Sequence, residues 1–195
     1  MWRITTARFA DTAFSGEGAR LYGGRWNPKG FQVVYTAESR SLALLEMLVQ
    51  DDPLRARHVL IPAQLPDMVS VTELGVSDLP PDWRSLNTRD ALQAIGRDWL
   101  EKGSSAVLTV PSAVVPAERN FLINPGHPDF AKIVIGEPEP LENRCQTDAQ
   151  SGQLGLHETT LVWISTLSVR SIAAKIAEML LMVGLPEADN IMAVM

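Results

Sequence analysis

Arg25 sits in the run Tyr22-Gly23-Gly24-Arg25-Trp26-Asn27. Paired glycines let a backbone turn sharply and approach a bound group closely. The guanidinium they deliver is a planar fork suited to a phosphate or pyrophosphate. Tyr22 and Trp26 flank it with aromatic surface for stacking on a base. A surface turn with a solvated arginine reads the same way, and the run is neither a GxGxxG fingerprint nor a P-loop. Glu46 is the second such residue. It shares one predicted helix face with Leu42, Leu45 and Val49. A carboxylate in an apolar stripe is exposed, paired to an arginine, or held in a cleft where positive charge develops. Ser112, in Pro111-Ser112-Ala113, ends a predicted strand. No Gly-x-Ser-x-Gly elbow surrounds it, which argues against a hydrolase nucleophile and leaves a turn serine or one that points into a cleft. Asn120 and Asn124 bracket the next strand, as turn residues or as hydrogen-bonding side chains.

These residues need elements to hold them. Trp2 and Ile4 alternate, predicting a strand over Met1–Thr6. Phe9–Gly30 is rich in glycine and small polar residues and reads as a long loop. Gln32–Thr36 is β-branched and aromatic, hence a strand. Ser39 caps a predicted helix running to about Gln50, with Pro53 just beyond it. Val59, Ile61 and Ala63 alternate as a strand, and Leu65–Arg84, with Pro66, Pro80 and Pro81, reads as irregular. Asn87 or Thr88 precedes a second helix that buries Ala91, Leu92, Ile95 and Trp99 and stops at Gly103. Ala106–Val110, Asn120–Ile123 and Lys132–Ile135 read as three further short strands, and Asn124-Pro125-Gly126 as a turn. This mixed order predicts an α+β fold, without the regular alternation of a doubly wound parallel sheet. From Glu137 the character changes. Glu142–His157 is polar, Leu161–Ile164 reads as a strand, and Ile172, Ile176, Met179, Leu180 and Val183 form a helical stripe ending at Gly184.

Composition narrows the function classes. Hydrophobic residues make up 46% of the 195 and charged residues 21%, ordinary values for a chain with a packed core. A net charge of −6 argues against direct nucleic-acid binding, which needs a clustered basic face. Cys145 is alone, and His58, His127 and His157 are scattered, so neither a disulfide framework nor a metal site is expected. Neither a charged stretch followed by an apolar run at the start, nor an apolar run long enough for a bilayer, stands in the sequence. A soluble cytoplasmic protein away from membranes is therefore expected.

Taken together the segments resemble the RES domain, named for its arginine, glutamate and serine. The pieces stand in the family's order: LYGGRWNPKG at Leu21–Gly30, VVYTAES at Val33–Ser39, ALLEML at Ala43–Leu48, and LTVPSAVVPAERNFLINPGHPDF at Leu108–Phe130. The resemblance covers roughly Trp2–Pro140. It implies a RES domain over residues 1–140 and ends there, which leaves 141–195 as a C-terminal extension in which the apolar stripe predicts an amphipathic helix near 166–183. It also implies a closing Asp-Pro-Arg-like segment where this chain reads Glu137-Pro138-Glu139-Pro140, so either a true extension or an altered terminus follows.

The resemblance further implies a fold like that of ADP-ribosyltransferase toxins and a toxin that cleaves the nicotinamide–ribose bond of NAD, by hydrolysis or phosphorolysis. Transfer of ADP-ribose to a host protein and an inactive antitoxin-binding module are the alternatives it leaves. It implies catalytic roles for Arg25, Glu46 and Ser112, and NAD contacts from Tyr22, Arg25, Trp26, Tyr35 and Asn120, with no metal. The implied partner is an Xre-type helix-turn-helix antitoxin, with a homodimer inside the complex.

Overall fold

The alternating residues of Trp2–Thr6 form strand β1, an interior strand of a curled sheet. The computed structural model describes residues 1–50 and 56–141. The other strands are β2 (Val34–Ala37), β3 (His58–Gln64), β4 (Val71–Glu73), β5 (Val107–Pro111), β6 (Arg119–Ile123), β7 (Val134–Ile135) and β8 (Glu139–Pro140). Their order is β4-β5-β6-β2-β1-β3-β7, with β8 also paired to β3. Every pairing is antiparallel except β4 with β5. Three α-helices stand among the described residues: α1 (Glu17–Tyr22), α2 (Arg40–Gln50) and α3 (Arg89–Lys102). The architecture is α+β, as expected.

The register sorts side chains onto the two faces of the sheet. Val34, Ile123 and Val107 stand side by side and pack with Ala13, Phe14 and Ile61. Tyr35, Leu122 and Leu108 take the other face, against Trp26, Leu92 and Trp99. A third cluster joins Leu42 and Ala43 of α2 to Ala37 and Leu60. Leu42 is fully buried, and burial of such a side chain stabilises by about 1.5–3 kcal/mol.

Several expectations need correction. The predicted loop Phe9–Gly30 contains α1, preceded by a 3-10 helix over Ala7–Thr12. Glycine-rich composition hid a short helix whose Arg20 and Glu17 pair one turn apart. The predicted irregular stretch Leu65–Arg84 contains β4, a three-residue strand too short to show alternation. The predicted strand Lys132–Ile135 is shorter, because Pro128–Lys132 is a 3-10 helix. On α2 the buried face is turned: Leu42 and Ala43 are buried, while Leu45 and Val49 are 41% and 67% exposed. Glu46 remains on the inner side, one turn beyond Leu42. On α3, Ala91 is exposed and Gly96 is buried instead. The features read in 142–195 lie outside the described residues.

Candidate active site

Ser39 accepts the backbone N–H of Leu42 at 3.0 Å, which starts α2 and sets its rotation. That rotation aims Glu46 at the C-terminal end of β5 and the start of β6. There Glu46 Oε1 accepts two hydrogen bonds, from Ser112 Oγ at 2.7 Å and from Asn120 Nδ2 at 2.6 Å. Val110 and Ala37 flank Asn120 in the register, so its place is fixed by two neighbouring strands. Glu46 Oε2 takes no hydrogen bond among the described residues.

Ser112 is fully buried. Its hydroxyl donates to Glu46 and accepts from the backbone N–H groups of Val114 and Val115, at 3.1 and 3.0 Å. One donor and two acceptor positions are all a hydroxyl has. Ser112 is therefore geometrically a holder of Glu46 and of the following turn, with no lone pair left for attack.

Arg25 arrives from the opposite wall. Tyr35 on β2 donates its hydroxyl to Asn27 Oδ1 at 2.6 Å and accepts the N–H of Trp26 at 3.1 Å. Asn27 Nδ2 contacts the carbonyls of Ala19, Pro28 and Phe31 at 2.9–3.1 Å. This buried asparagine ties α1 to the loop after it. From the other side, Gln93 of α3 donates to the Gly24 carbonyl at 2.7 Å. Gly24 must be glycine for space: a Cβ there would stand 2.3 Å from the Tyr35 hydroxyl. The loop so held presents Arg25, whose Nη1 reaches the carbonyls of Trp83 and Arg84 at 3.2 and 3.3 Å. Arg25 is half-buried. Burial lowers its pKa, the Glu46 carboxylate raises it, and Arg89 and Arg84 lower it again.

Loss of the Tyr35 hydroxyl isolates two polar groups in this tie. Tyr35→Phe is expected to destabilise the fold by about 1–3 kcal/mol, read as a lower midpoint in urea unfolding. An unchanged midpoint would show that the tie carries no weight.

Arg25, Tyr35, Glu46 and Asn120 line one cleft of about 710 Å³, together with Trp26. Small-molecule sites span roughly 300–1,000 Å³. The structure does not bring Tyr22 to this wall: its side chain is 76% exposed, at the end of α1. Trp26 is 3% exposed and belongs to the core, so its ring offers packing and little open face.

Arg3 also lines the cleft, and sequence reading passed over it. Its Nη1 donates to the Tyr35 carbonyl at 2.7 Å, while its buried Nε has no partner among the described residues. Desolvation pulls its pKa down to about 10, which still leaves it charged at neutral pH. A half-buried cation whose buried Nε has no partner among the described residues, beside a cleft, favours an anionic occupant. The alternation of Trp2 and Ile4 drew attention to the apolar residues and hid the arginine between them. Thr6 Oγ1, on the same strand and the same cleft, is buried and also without a partner among the described residues. Among the described residues no group of three or more His, Cys, Asp or Glu side chains gathers to hold a metal.

A curled mixed sheet with an arginine and a hydrogen-bonded glutamate facing one cleft defines the class, and comparison with known proteins agrees. The RES domain model matches residues 1–143, and the chain belongs to that family. A protein named Toxin Res from Photorhabdus laumondii is 40% identical over 136 residues, 69% of this chain and 86% of that protein. The Prs ADP-ribosylating toxin of a Sphingobium species is 40% identical over 138 residues, 68% of this chain and 86% of that one. The NAD(+) phosphorylase MbcT of Mycobacterium tuberculosis is 33% identical over 129 residues, covering 60% and 68%. Among solved structures, the M. tuberculosis MbcT-MbcA toxin-antitoxin complex matches with a TM-score of 0.61 at 22% identity, over 72% of this chain and 82% of that one. That likeness shows a shared fold.

Proposed function

We propose that this chain is a toxin that breaks the bond between nicotinamide and ribose in NAD. The observation that carries the reading is Glu46: a carboxylate fixed through Oε1 by Ser112 and Asn120, at a cleft whose far wall presents Arg25. The C1′–N bond breaks with its electron pair going to nicotinamide, which leaves neutral. The ribose is left with oxocarbenium character, as in glycoside hydrolysis. Glu46 stabilises that charge and, through Oε2, holds a ribose hydroxyl. Arg25 and Arg3 grip the phosphates by charge-assisted bonds, which are stronger than neutral ones. The Tyr35 ring offers the aromatic surface for nicotinamide. Asn120 and Ser112 fix the carboxylate before the substrate arrives, so little reorganisation remains at the transition state.

Water or phosphate then bonds to C1′. Phosphate is favoured as acceptor by the relative named a NAD(+) phosphorylase. Transfer to a host protein is the second reading, supported by the relative named an ADP-ribosylating toxin. Mass spectrometry of cell extract incubated with adenine-labelled NAD and phosphate separates them. A phosphorylated ADP-ribose is the expected product, label on a protein band would establish transfer, and unaltered NAD would contradict both.

An antitoxin is the proposed partner, since the structural neighbour is a toxin–antitoxin complex. An Xre-type helix-turn-helix protein, a homodimer within the complex and a cytoplasmic setting complete the proposal. So does the division into a RES domain over 1–140 and an extension over 141–195. Co-expression with the product of an adjacent small reading frame, followed by size-exclusion chromatography, tests the partner.

A further inference from the structure

Arg25 is not the sole cation at its end of the cleft. Arg84 donates its Nε to the carbonyl of Ala113 at 3.0 Å, and Ala113 both lines the cleft and follows the Ser112 that holds Glu46. Arg89, the first residue of α3, donates its Nε to the carbonyl of Gly24 at 3.4 Å, one residue before Arg25. Arg25 itself rests on the carbonyl of Arg84. The three arginines are thus pinned to one another's backbone neighbourhood, each through a single nitrogen. Arg84 and Arg89 are held by Nε, so both Nη groups of each project without a partner among the described residues.

Their surroundings do not neutralise them. None of the three forms an ion pair with Asp or Glu among the described residues. Asp82 and Asp90 are close in the chain but are exposed and unpaired there. Arg84 and Arg89 act on Arg25 repulsively, and Glu46 is the carboxylate that attracts it. Three guanidiniums gathered and fixed without a counter-ion are unfavourable by themselves. A dianion supplies what they lack, and guanidinium forks match phosphate oxygens two at a time.

We propose that Arg84 and Arg89 complete, with Arg25, a phosphate subsite at the rim of the cleft beside Ser112 and Glu46. Its ligand is a phosphate dianion, from either of two sources: inorganic phosphate held as the acceptor for the ribosyl group, or a phosphoryl group of the substrate itself. In the first case the phosphate oxygen that bonds to C1′ is delivered next to the carbon that nicotinamide leaves. The acceptor role rests on the NAD-cleaving reading above, whereas binding of phosphate does not.

Isothermal titration of the full chain with inorganic phosphate tests the subsite without turnover. Arg84→Gln and Arg89→Gln are each expected to weaken binding about tenfold. Arg97→Gln removes the same charge from an exposed position on α3 and is expected to leave binding unchanged. Equal weakening by Arg97→Gln, or no weakening by the other two, would overturn the proposal. Thermal unfolding of each variant separates lost binding from lost folding. Repeating the titration in saturating ADP-ribose assigns the source. Phosphate still bound identifies the acceptor position, and phosphate displaced identifies the substrate's own phosphoryl contact. Phosphate binding lost in the two variants, with NAD untouched by wild type, would leave the subsite standing and remove the proposed reaction.

Discussion

Glu46→Gln is expected to slow nicotinamide release from NAD by about 10²–10³-fold, a loss typical of removing one aimed electrostatic contact from a transition state. The substitution is nearly isosteric. Gln keeps an acceptor oxygen where Glu46 Oε1 now takes the hydrogen bonds of Ser112 and Asn120, so the local structure is retained. What disappears is the negative charge facing the ribose carbon. NAD already carries a positive nicotinamide ring in the ground state, and the charge moves to the ribose as the bond breaks. Binding is therefore expected to weaken less than turnover, with most of the effect in kcat. Steady-state kinetics beside a calorimetric Kd for NAD separates the two. A fall confined to KM would make Glu46 a binding residue, and an unchanged rate would remove it from the chemistry.

A second large effect is expected from a residue that touches no substrate. A Cβ on Gly96 would lie 1.8 Å from the carbonyl oxygen of Trp26 and 2.9 Å from its carbonyl carbon. Both obstructing atoms are backbone, so no side chain can swing aside. Either α3 or the Gly24–Asn27 loop must move. Overpacking of this kind costs roughly 1–3 kcal/mol, and the absence of a yielding neighbour puts Gly96→Ala at the upper end. A loss of about 3 kcal/mol lowers Tm by roughly 6–12 °C for a domain of this size. The displaced loop carries Arg25, so NAD affinity falls with it. Gly18→Ala is the control. Nothing lies within 4 Å of a Cβ on Gly18, inside α1, and alanine is the better helix former by about 1 kcal/mol. Its Tm is expected to hold or rise. Equal Tm values for the two variants would mean that α3 does not press on the loop as described.

The parts of this site that were legible share a physical basis. Glu46 stood out because a helix repeats every 3.6 residues and a carboxylate interrupts the inner stripe. The inner face itself was misjudged by part of a turn, since Leu45 and Leu42 are both apolar and hydrophobicity alone does not rank them. Arg25 was legible through its glycines. Ser112 and Asn120 were legible singly, as a strand-end serine and an asparagine beside a strand, but not as the pair that holds Glu46. Ser112 and Asn120 meet it across 66 and 74 residues of chain, and that meeting follows from the β5–β6 register, which no local pattern encodes. Arg3 was missed for a different reason. A single polar residue between Trp2 and Ile4 looks like the outward half of an alternating strand, and its partial burial appears only once β1 is paired on both sides, by β2 and β3. Arg84 and Arg89 were unremarked because an arginine in a proline-rich stretch and one at a helix start are individually ordinary. Their meaning lies in the carbonyls that hold them.

A time course of nicotinamide release by the purified chain, in the presence of NAD and phosphate, tests the proposed cleavage most directly. Each NAD consumed is expected to yield one free nicotinamide, and a folded Glu46→Gln protein is expected to leave NAD almost intact over the same period. Folded wild-type protein that leaves NAD unconsumed, or consumes it without freeing nicotinamide, would contradict the proposed cleavage.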